Sequence, residues 1–487
     1  MNYRYIARII GILLLAITAF LMPSMFIALF KGEQSLSSII STMAISGIGG
    51  FALYLTPRDE RGITVRDAFM VVALGWLVVC LVGALPFYFS GVAATYVDSF
   101  FEVVSGFTTT GATILKDVES QPMSIMFWRS LTHWLGGMGI LVLTLAVMPA
   151  LGVGSFQIFR AETPGPLKDK VVPKMRDTAA ILYTSYLGIT ILETAMLLLG
   201  GVSLFESMVH TFGSVGTGGF STRNLSVGAL GGSYVQWVIG VFMLLSGVNF
   251  TLYYSLFRGQ WRKALANEEL RFYLLINLGC TMAVFLNLYL SDHFALMDSL
   301  RHSFFQVTSI MTTTGYTTVN FDVWPTFSKL VLFLLMFVGA SSGSTGGAIK
   351  VIRVLVILKL IRREMQKVLH PKAVIPISIN GHALKPEVVT SIASFFALYI
   401  MVFLAASLAL TFEGIDMVSA TSAVAATLGN IGPGFGVVGP LLTYADFNML
   451  TKLLLSFLML IGRLELFTML VVLTPSFWRH GSNPRKA

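Results

Sequence analysis

Charged residues are scarce in this sequence of 487 residues: they make up 12% of it, whereas 55% of the residues are hydrophobic. Soluble domains carry about 25% charged residues. The composition therefore excludes an ordinary soluble protein and indicates a chain that is solvated by lipid. Only two cysteines occur, Cys80 and Cys280, and each lies in an apolar run. This scarcity argues against a disulfide framework and against a thiolate metal site.

Motifs of enzyme chemistry are missing as well. The sequence has no HExxH, no pair of carboxylates at a suitable spacing and no nucleophile beside a base. The formal net charge is +9, but no basic patch is interleaved with aromatic residues as in nucleic-acid-binding proteins. We therefore predict that the chain is not an enzyme, that it carries no organic cofactor and that it binds no nucleic acid.

Ten apolar runs are long enough to cross a bilayer, which takes about 20 residues. They cover residues 6–30, 36–55, 68–90, 126–151, 179–200, 235–257, 272–290, 329–360, 388–412 and 450–473. The first is too long for a signal peptide, and the eighth is long for one plain span and has a glycine-rich centre. Basic residues concentrate in connections 57–66, 160–177, 258–271 and 362–385, which predicts that both termini are cytoplasmic.

Four short stretches rich in Gly and Thr interrupt this pattern, at residues 108–113, 215–220, 311–318 and 428–434. Each follows an apolar stretch of about three helical turns, which is too short to span a bilayer and fits a re-entrant half-helix. The residues predicted to cap these half-helices are Asp98, Ser203, Asp298 and Asp416. Four ordinary loops between membrane helices are the simpler interpretation of any one stretch.

The unit of span, half-helix, glycine-rich loop and span thus occurs four times. Its glycines Gly111, Gly218, Gly315 and Gly432 are separated by 218−111 = 107, 315−218 = 97 and 432−315 = 117 residues, which predicts internal duplication. We expect an all-α polytopic membrane protein with four span–pore helix–span repeats in pseudo-fourfold symmetry around one pore. The predicted units are a two-helix extension over 1–66 and repeats over 67–177, 178–270, 271–386 (with an interrupted gate helix) and 387–487.

The physics of such breaks favours an ion filter. Non-helical backbone is tolerated at membrane depth only where protein or water lines it. Glycine allows successive carbonyl groups to face one axis, and a ring of carbonyls can replace the water around a potassium ion. The inward C-termini of the half-helices would add partial negative charge, and hard oxygen ligands suit an alkali cation.

Together, the four stretches, the glycine run of the eighth span and the segment around Arg463 resemble the TrkH–KtrB–HKT superfamily of potassium transporters. The two additional N-terminal spans match its TrkH/TrkG branch. The resemblance implies that potassium is the transported ion and that it binds a filter. The implied filter residues are Thr109, Thr110, Gly111, Gly216, Thr217, Gly218, Thr313, Thr314, Gly315, Asn430, Ile431 and Gly432.

The same resemblance implies a gate, a location and partners. The implied gate residues are Gly343, Gly346, Gly347, Lys350 and Arg463. Sodium-passing relatives carry serine at the position of Gly111, so glycine there favours potassium. The resemblance further implies a multi-pass protein of the bacterial inner membrane, a homodimer, and a TrkA-like cytosolic ring of nucleotide-binding domains as regulatory partner.

Several alternatives remain open from the sequence. The glycine run of the eighth span could be ordinary close packing of helices, and Arg463 could form a local salt bridge with Glu465 or Glu193. Glu193 itself fits either a proton-coupling acid or a buried, paired carboxylate. Structural hydrogen bonding is favoured over a proton relay for His133, His210 and His302. The alternative function is a secondary transporter of another cation or solute, coupled to Na⁺ or protons.

Overall fold

The computed structural model describes residues 1–57, 64–139 and 175–478, except for the side chains of residues 175–181. Helices dominate these ranges, as the sequence predicts. The one sheet in them is a two-stranded antiparallel hairpin that pairs Ser378–Ile379 with His382–Ala383. The second half of the predicted span 126–151 and most of the connection 160–177 lie outside the described residues.

The helices follow the predicted alternation of long and short elements. The long ones are Tyr3–Lys31, Ser35–Tyr54, Val65–Gly83, Met123–Gly137, Met175–Leu199, Ser233–Ser246, Glu268–Leu290, Val351–Leu369, Pro386–Phe412 and Met449–Arg463. The shorter ones are Leu85–Phe89, Tyr96–Phe107, Leu204–Val215, Phe250–Phe257, Trp261–Leu265, Leu296–Met311, Thr326–Leu335, Met417–Leu428, Leu466–Leu473 and Pro475–Trp478. Single 3₁₀ turns lie at Ser226–Ala229, Phe321–Val323 and Gly436–Val438.

Small residues let the first two helices pack closely. A Cβ atom at Gly11 would lie 2.6 Å from the backbone nitrogen of Tyr54 and 2.7 Å from the carbonyl oxygen of Gly50. The hydroxyl groups of Thr18 and Ser46 lie 2.7 Å apart across the same interface. Close backbone approach and interhelical hydrogen bonds are the means by which helices associate in lipid, so this pair forms one unit beside the repeats.

Two of the ten predicted spans are bent, and the eighth is interrupted at its glycine-rich centre as expected. Six helices in the described part of the chain are long and apolar enough to cross a membrane, or up to eight when each bent pair counts as one span. The predicted spans 235–257 and 450–473 are broken, because their two halves meet at 94° and 120°. The predicted span 329–360 divides into Thr326–Leu335 and Val351–Leu369, with a non-helical stretch between them.

Two helices, Met123–Gly137 and Met449–Arg463, end where they pack closely against half-helices. Gly136, at the end of Met123–Gly137, and Gly462, near the end of Met449–Arg463, lie against the carbonyl oxygens of Phe107 and Leu428. A Cβ atom at either glycine would overlap the carbonyl. Hydropathy does not report the bend after Arg463, because both halves of that broken helix are apolar.

Four half-helices occur where they are expected, and two of the predicted caps are wrong. Ser203 and Asp416 accept hydrogen bonds from backbone N–H groups of the first turn, as N-caps do. The other two half-helices begin earlier: Thr95 is the N-cap of Tyr96–Phe107, and Asp98 lies in its first turn. Similarly, Leu296–Met311 begins after Ala295, which places Asp298 in the first turn.

The pKa of Asp416 lies below its ordinary value. Hydrogen bonds from the Ser419 side chain and from the N–H groups of Ser419 and Val418 favour the charged carboxylate. A charged cap at this helix start also complements the helix dipole.

The predicted repeat boundaries coincide with helix starts. Repeats predicted to begin at residues 67, 178, 271 and 387 begin within three residues of the helices that start at Val65, Met175, Glu268 and Pro386. The division into four repeats remains a prediction.

We predict that Gly11→Val separates the first two helices. The new side chain would overlap backbone atoms of Gly50 and Tyr54, and overpacking of this kind costs about 1–3 kcal/mol. The thermal unfolding midpoint of the detergent-solubilised protein should fall. Gly49→Val is the matched control, because a Cβ atom at Gly49 has no neighbour within 4 Å; equal midpoints for both variants would contradict the packing argument.

Candidate functional site

The four half-helices end in segments with the same backbone conformation. These are glycine segments 1 to 4, residues 108–111, 216–219, 312–315 and 429–432. The second residue of each has a positive φ: Thr109 54°, Thr217 55°, Thr313 60° and Asn430 55°. The fourth is a glycine that also has a positive φ: Gly111 82°, Gly219 80°, Gly315 81° and Gly432 96°. Positive φ at a β-branched threonine is uncommon and costs free energy, so three such residues at equivalent positions indicate a constrained site.

Backbone hydrogen bonds repeat in the same register. In each segment the third residue donates its N–H to a carbonyl five residues earlier, over 2.7–2.9 Å, in the pattern of a Schellman helix end. The four bonds are Thr110 to Ser105, Gly218 to Gly213, Thr314 to Ser309 and Ile431 to Ala426. The segments are therefore equivalent residue by residue.

This register corrects the prediction for the second segment by one residue. Gly219, and not Gly218, matches Gly111, Gly315 and Gly432 in φ. The spacing of the equivalent glycines is thus 219−111 = 108, 315−219 = 96 and 432−315 = 117 residues. The signal was present in the sequence: each segment has Thr or Asn second and Gly fourth, in TTTG, GTGG, TTTG and GNIG.

The four segments pack against each other in a closed ring that follows chain order. A Cβ atom on the last glycine of each segment would lie within 3.0 Å of the carbonyl oxygen of the third residue in the next segment. The contacts run from Gly111 to the Gly218 oxygen, from Gly219 to the Thr314 oxygen, from Gly315 to the Ile431 oxygen and from Gly432 to the Thr110 oxygen. Any residue other than glycine would force the neighbouring segments apart.

Buried oxygen atoms of this ring are left without donors. Within residues 1–57, 64–139 and 175–478, no hydrogen bond reaches the carbonyl oxygens of the second and third residues of any segment. These residues are Thr109, Thr110, Thr217, Gly218, Thr313, Thr314, Asn430 and Ile431. Buried carbonyl groups normally have a hydrogen-bond partner, so this set of eight oxygens is suited to another electrophile, such as a cation.

Hydrogen bonds join the chains that leave the segments, again in ring order. Asn224 binds the backbone N–H of Val118 through its side-chain oxygen at 2.9 Å and the carboxylate of Asp117 through its amide nitrogen at 2.9 Å. This amide bond lowers the pKa of Asp117. The remaining links are Gly228 to Thr317, Gly436 to Asp322 and Tyr444 to Thr113.

A cavity of about 120 Å³ lies on the side of the ring where the chains leave the segments, and all four glycines line it. Three basic residues also line this cavity, and each is paired with a carboxylate. The pairs are Lys116–Asp446 at 2.6 Å, Arg129–Glu102 at 2.7 Å and Arg223–Glu206 at 2.6 Å. Pairing offsets their positive charge at the mouth of the ring.

The Glu102–Arg129 pair is buried and braces two segments. Glu102 accepts hydrogen bonds from the Thr113 hydroxyl and the Ile114 N–H, both at 2.8 Å, in the chain that follows segment 1. Arg129 donates to the Ser221 carbonyl at 3.1 Å and lies 3.5 Å above the Phe220 ring, in the chain that follows segment 2.

On the opposite side of the ring lies a loop of residues 336–350, which is called the gate loop here because the sequence predicts a gate in it. A bridge between Val338 and Ile349 closes it at its base. Its tip contacts three half-helix ends: the Thr345 hydroxyl donates to the Val215 carbonyl at 3.1 Å, the Gly347 N–H donates to Thr313 Oγ1 at 2.6 Å, and Gly347 also lies against the Gly429 carbonyl. The sequence prediction of a non-helical stretch here is confirmed.

Arg463 connects this loop to the end of helix Met123–Gly137. Its guanidinium donates to the Thr345 carbonyl at 2.6 Å and to the Gly136 and Gly137 carbonyls at 2.5 and 2.9 Å. Lys350 is buried and donates to the Gly346 carbonyl. Four of the five predicted gate residues lie together, because Gly346, Gly347, Lys350 and Arg463 share the lining of a small cavity of about 20 Å³. The fifth, Gly343, lies apart from this cavity, against Asn249.

Comparison with known proteins agrees with this arrangement. The family TrkH, described as a cation transport protein, matches residues 35–479. The chain belongs to the TrkH family. It is 39% identical over 485 residues to the Trk system potassium uptake protein TrkH of Escherichia coli K12, covering 98% of this chain and 100% of that protein. It is 35% identical to TrkG of the same strain, covering 98% and 99%.

A solved structure supports the same conclusion for the fold. The crystal structure of the potassium transporter TrkH from Vibrio parahaemolyticus matches this chain with a TM-score of 0.88 and 35% identity, covering 98% of this chain and 100% of that one. The resemblance drawn from the sequence is thus confirmed, and the chain is a multi-pass membrane protein of the TrkH family.

Histidine and glutamate side chains in this TrkH-family chain are part of the packing around the ring. His133 contacts the Gly106 carbonyl at 2.8 Å, His210 contacts Ser221 Oγ at 2.9 Å, and His302 contacts Thr318 Oγ1 at 2.8 Å. This is the hydrogen-bonded structural role that the sequence favours. Glu193 is buried and accepts a hydrogen bond from Ser214 at 2.5 Å, and Glu465 pairs with Arg353 at 2.6 Å.

Two tyrosines that the sequence prediction passed over hold the glycine segments from behind. The Tyr316 hydroxyl donates to the carbonyls of His210 and Phe220 at 3.1 and 2.9 Å, which joins segment 3 to half-helix Leu204–Val215 and to the chain after segment 2. The Tyr444 hydroxyl donates to the Gly432 carbonyl at 2.7 Å. The position of Tyr316 directly after Gly315 was a sequence signal for its role. Tyr444 gave no such signal, because it lies 12 residues from its partner Gly432.

We predict that Glu102→Ala destabilises the protein strongly. It would leave the Arg129 charge buried without its partner, which costs about 3–5 kcal/mol. Lys116→Ala breaks the Lys116–Asp446 ion pair at the same cavity, whose side chains are 66% and 83% exposed. Exposed ion pairs contribute about 0–1 kcal/mol to the free energy of unfolding. Thermal unfolding in detergent compares the two, and equal losses would show that burial of the Glu102 pair is not what matters.

Proposed function

We propose that this chain is the potassium-translocating membrane subunit of a bacterial Trk-type uptake system. In this proposal the four repeats surround one pore in pseudo-fourfold symmetry, and the glycine segments form its ion filter. The curated relatives are named as potassium uptake proteins, and that likeness supports potassium as the transported ion. K⁺ is the substrate here and not a resident cofactor.

One observation carries the proposal: a closed ring of four equivalent backbone segments with eight buried carbonyl oxygens that lack hydrogen-bond donors in the described chain. A dehydrated potassium ion needs several oxygen ligands, and rings of carbonyls supply them in ion filters. All four half-helices also end at this ring, so their partial negative charges favour a cation there. The ligand set is Thr109, Thr110, Thr217, Gly218, Thr313, Thr314, Asn430 and Ile431, with Gly111, Gly219, Gly315 and Gly432 allowing the close packing.

We further propose that the gate loop controls passage below the filter. The loop contacts three half-helix ends, and Arg463 fixes it to the first repeat. The guanidinium of Arg463 would put positive charge in the ion path and so oppose entry of a cation while the loop is seated, and the buried Lys350 side chain would hold the Gly346 carbonyl. Gly343, Gly346 and Gly347 provide the backbone freedom that its movement needs.

The setting of this pore is also part of the proposal. The bias of basic residues toward four connections places both termini in the cytoplasm, in the inner membrane of a bacterium. The chain acts as a homodimer, with one pore per protomer, and a TrkA-like nucleotide-binding ring regulates it from the cytosol. The basic segments 258–271 and 362–372 are the surfaces offered to that ring.

A secondary transporter for an organic solute remains the second candidate. Broken helices at mid-membrane are typical of such proteins, and this chain has two bent helix pairs. Uptake that is competed by an organic solute but not by potassium would favour it.

We predict that Gly315→Ser impairs potassium selectivity. A Cβ atom at Gly315 would overlap the Ile431 carbonyl, so the ring must distort. In potassium-loaded proteoliposomes that take up a rubidium tracer, wild-type uptake should be blocked by K⁺ and hardly by Na⁺ or Li⁺. The variant should lose on the order of tenfold in K⁺-over-Na⁺ discrimination, about 1.4 kcal/mol.

Gly381→Ser is the matched control for this experiment. Gly381 has a φ of 79°, close to the 81° of Gly315, but a Cβ atom there has no neighbour within 4 Å. The two substitutions share the backbone strain and differ in the carbonyl contact. Unchanged K⁺-over-Na⁺ selectivity in Gly315→Ser would contradict the proposal that the glycine segments form the filter.

We predict that Arg463→Ala raises potassium flux. The substitution removes positive charge and the hydrogen bonds that fix the loop to the first repeat. If one charged hydrogen bond limits opening, its loss should increase flux roughly tenfold. The measurement is tracer uptake at equal membrane expression. Arg463→Lys keeps the charge but not the forked geometry and should be intermediate; unchanged or lower flux in Arg463→Ala would contradict the role of Arg463.

A further inference from the structure

The second residues of the four glycine segments share one backbone position but differ in what their side chains do. Thr217 Oγ1 donates to the Gly216 carbonyl in its own segment, at 2.7 Å. Asn430 Nδ2 donates to Thr110 Oγ1 at 3.0 Å and to the Met459 carbonyl at 2.9 Å. Thr109 Oγ1 is buried and has no hydrogen-bond partner within the described ranges. Thr313 Oγ1 alone among the four accepts a hydrogen bond from the gate loop, from the Gly347 N–H at 2.6 Å.

We propose that Thr313 is the positioning residue through which the filter itself holds the gate loop closed. This rests on the proposed function, because it requires the ring to be the filter and the loop to be the gate. The Thr313 carbonyl belongs to the ring and its hydroxyl to the loop contact, so one residue joins the two parts. Other hydrogen bonds donated by the loop run from the Ser341 N–H to the Gly247 carbonyl, from the Ser342 N–H to Glu269 and from the Thr345 hydroxyl to the Val215 carbonyl, and none of these acceptors is a filter side chain. Gly347 also lies against the Asn430 side chain, whose amide nitrogen donates to Thr110 and Met459 instead.

Packing around this contact shows why the loop can seat so closely. A Cβ atom at Gly347 would lie 2.6 Å from the Gly429 carbonyl, and one at Gly346 would lie 2.9 Å from the Thr312 carbonyl. The loop backbone therefore rests directly on the ends of half-helices 3 and 4 (Leu296–Met311 and Met417–Leu428). Thr313 and Gly347 are both buried, so the Gly347 N–H is shielded from bulk water while the loop is seated.

Loss of the Thr313 hydroxyl should consequently favour loop release. The Gly347 N–H would be buried without an acceptor, and it recovers a hydrogen bond only when the loop moves into water. A buried donor left without an acceptor costs more free energy than an average hydrogen bond contributes to stability. A shift of roughly three- to tenfold toward the open loop follows from a single hydrogen bond of this kind.

The test compares Thr313→Val, Thr313→Ser and Thr109→Val in tracer uptake without any cytosolic partner. Valine has nearly the shape of threonine, so the strain of positive φ is kept in both valine variants. Thr313→Val should raise basal uptake roughly three- to tenfold with the K⁺-over-Na⁺ ratio retained, and Thr313→Ser, which keeps the hydroxyl acceptor, should raise it less than Thr313→Val does. Thr109→Val, at the equivalent position without a loop contact, should change basal uptake less than Thr313→Val does.

Thr281→Val is the control for loss of a buried hydroxyl outside the ring. Thr281 Oγ1 is buried without a partner in the described chain and lies in helix Glu268–Leu290, so this variant should match the wild type. Equal uptake in Thr313→Val and Thr109→Val would overturn the proposal. A rise in basal uptake by Thr313→Val that is accompanied by loss of K⁺ selectivity would also overturn it, because Thr313 would then act only on the filter and not on the loop.

Amide hydrogen exchange at Gly347 separates this proposal from the proposed function. Exchange should be faster in Thr313→Val than in Thr313→Ser or Thr109→Val, whatever ion the protein carries. Unchanged exchange refutes the contact as a loop anchor even if potassium uptake is normal. Faster exchange in a protein whose uptake ignores potassium would support the anchor and refute the potassium pore.

Discussion

The contact between a glycine and the carbonyl of the next segment is the constraint on which the structure depends. It occurs four times, and each instance requires a backbone with positive φ and no Cβ atom. That requirement determines where each half-helix must end, because the segment has to leave a Schellman turn in a fixed direction. The long helices then serve to hold four helix ends at one place in the membrane.

The four glycine segments share one backbone conformation but are braced by different side chains. The position seven residues before the second residue of each segment holds Glu102, His210, Gln306 and Ala423. Glu102 binds Arg129 and the chain after segment 1, and His210 binds Ser221 after segment 2. Gln306 is buried and finds no partner for its amide in the described chain. Equivalent backbones with unequal supports give a ring whose quarters differ in stiffness.

Much of this architecture could be predicted from local sequence, because its signals are local. The breaks were visible as Gly and Thr within apolar sequence, and the gate loop as a run too rich in glycine for a span. The register of segment 2 was predicted one residue off, since GTGG offers three glycines and hydropathy does not choose among them. The bends after Ser246 and Arg463 were missed because both arms are apolar. Contacts such as Gly347 with Thr313 depend on three-dimensional packing and leave no periodic pattern.

The order of contacts around the ring has a consequence for how the chain is made. Three of the four glycine contacts join neighbouring repeats, whereas the fourth joins Gly432 to Thr110 and is accompanied by Asn430 with Thr110, 320 residues apart. Lys452 and Asp98 pair across 354 residues in the same closure. A ribosome releases the N-terminal partner long before the C-terminal one exists. During synthesis the growing chain is an open arc with an uncovered polar edge in the membrane, and only its last quarter completes the circle.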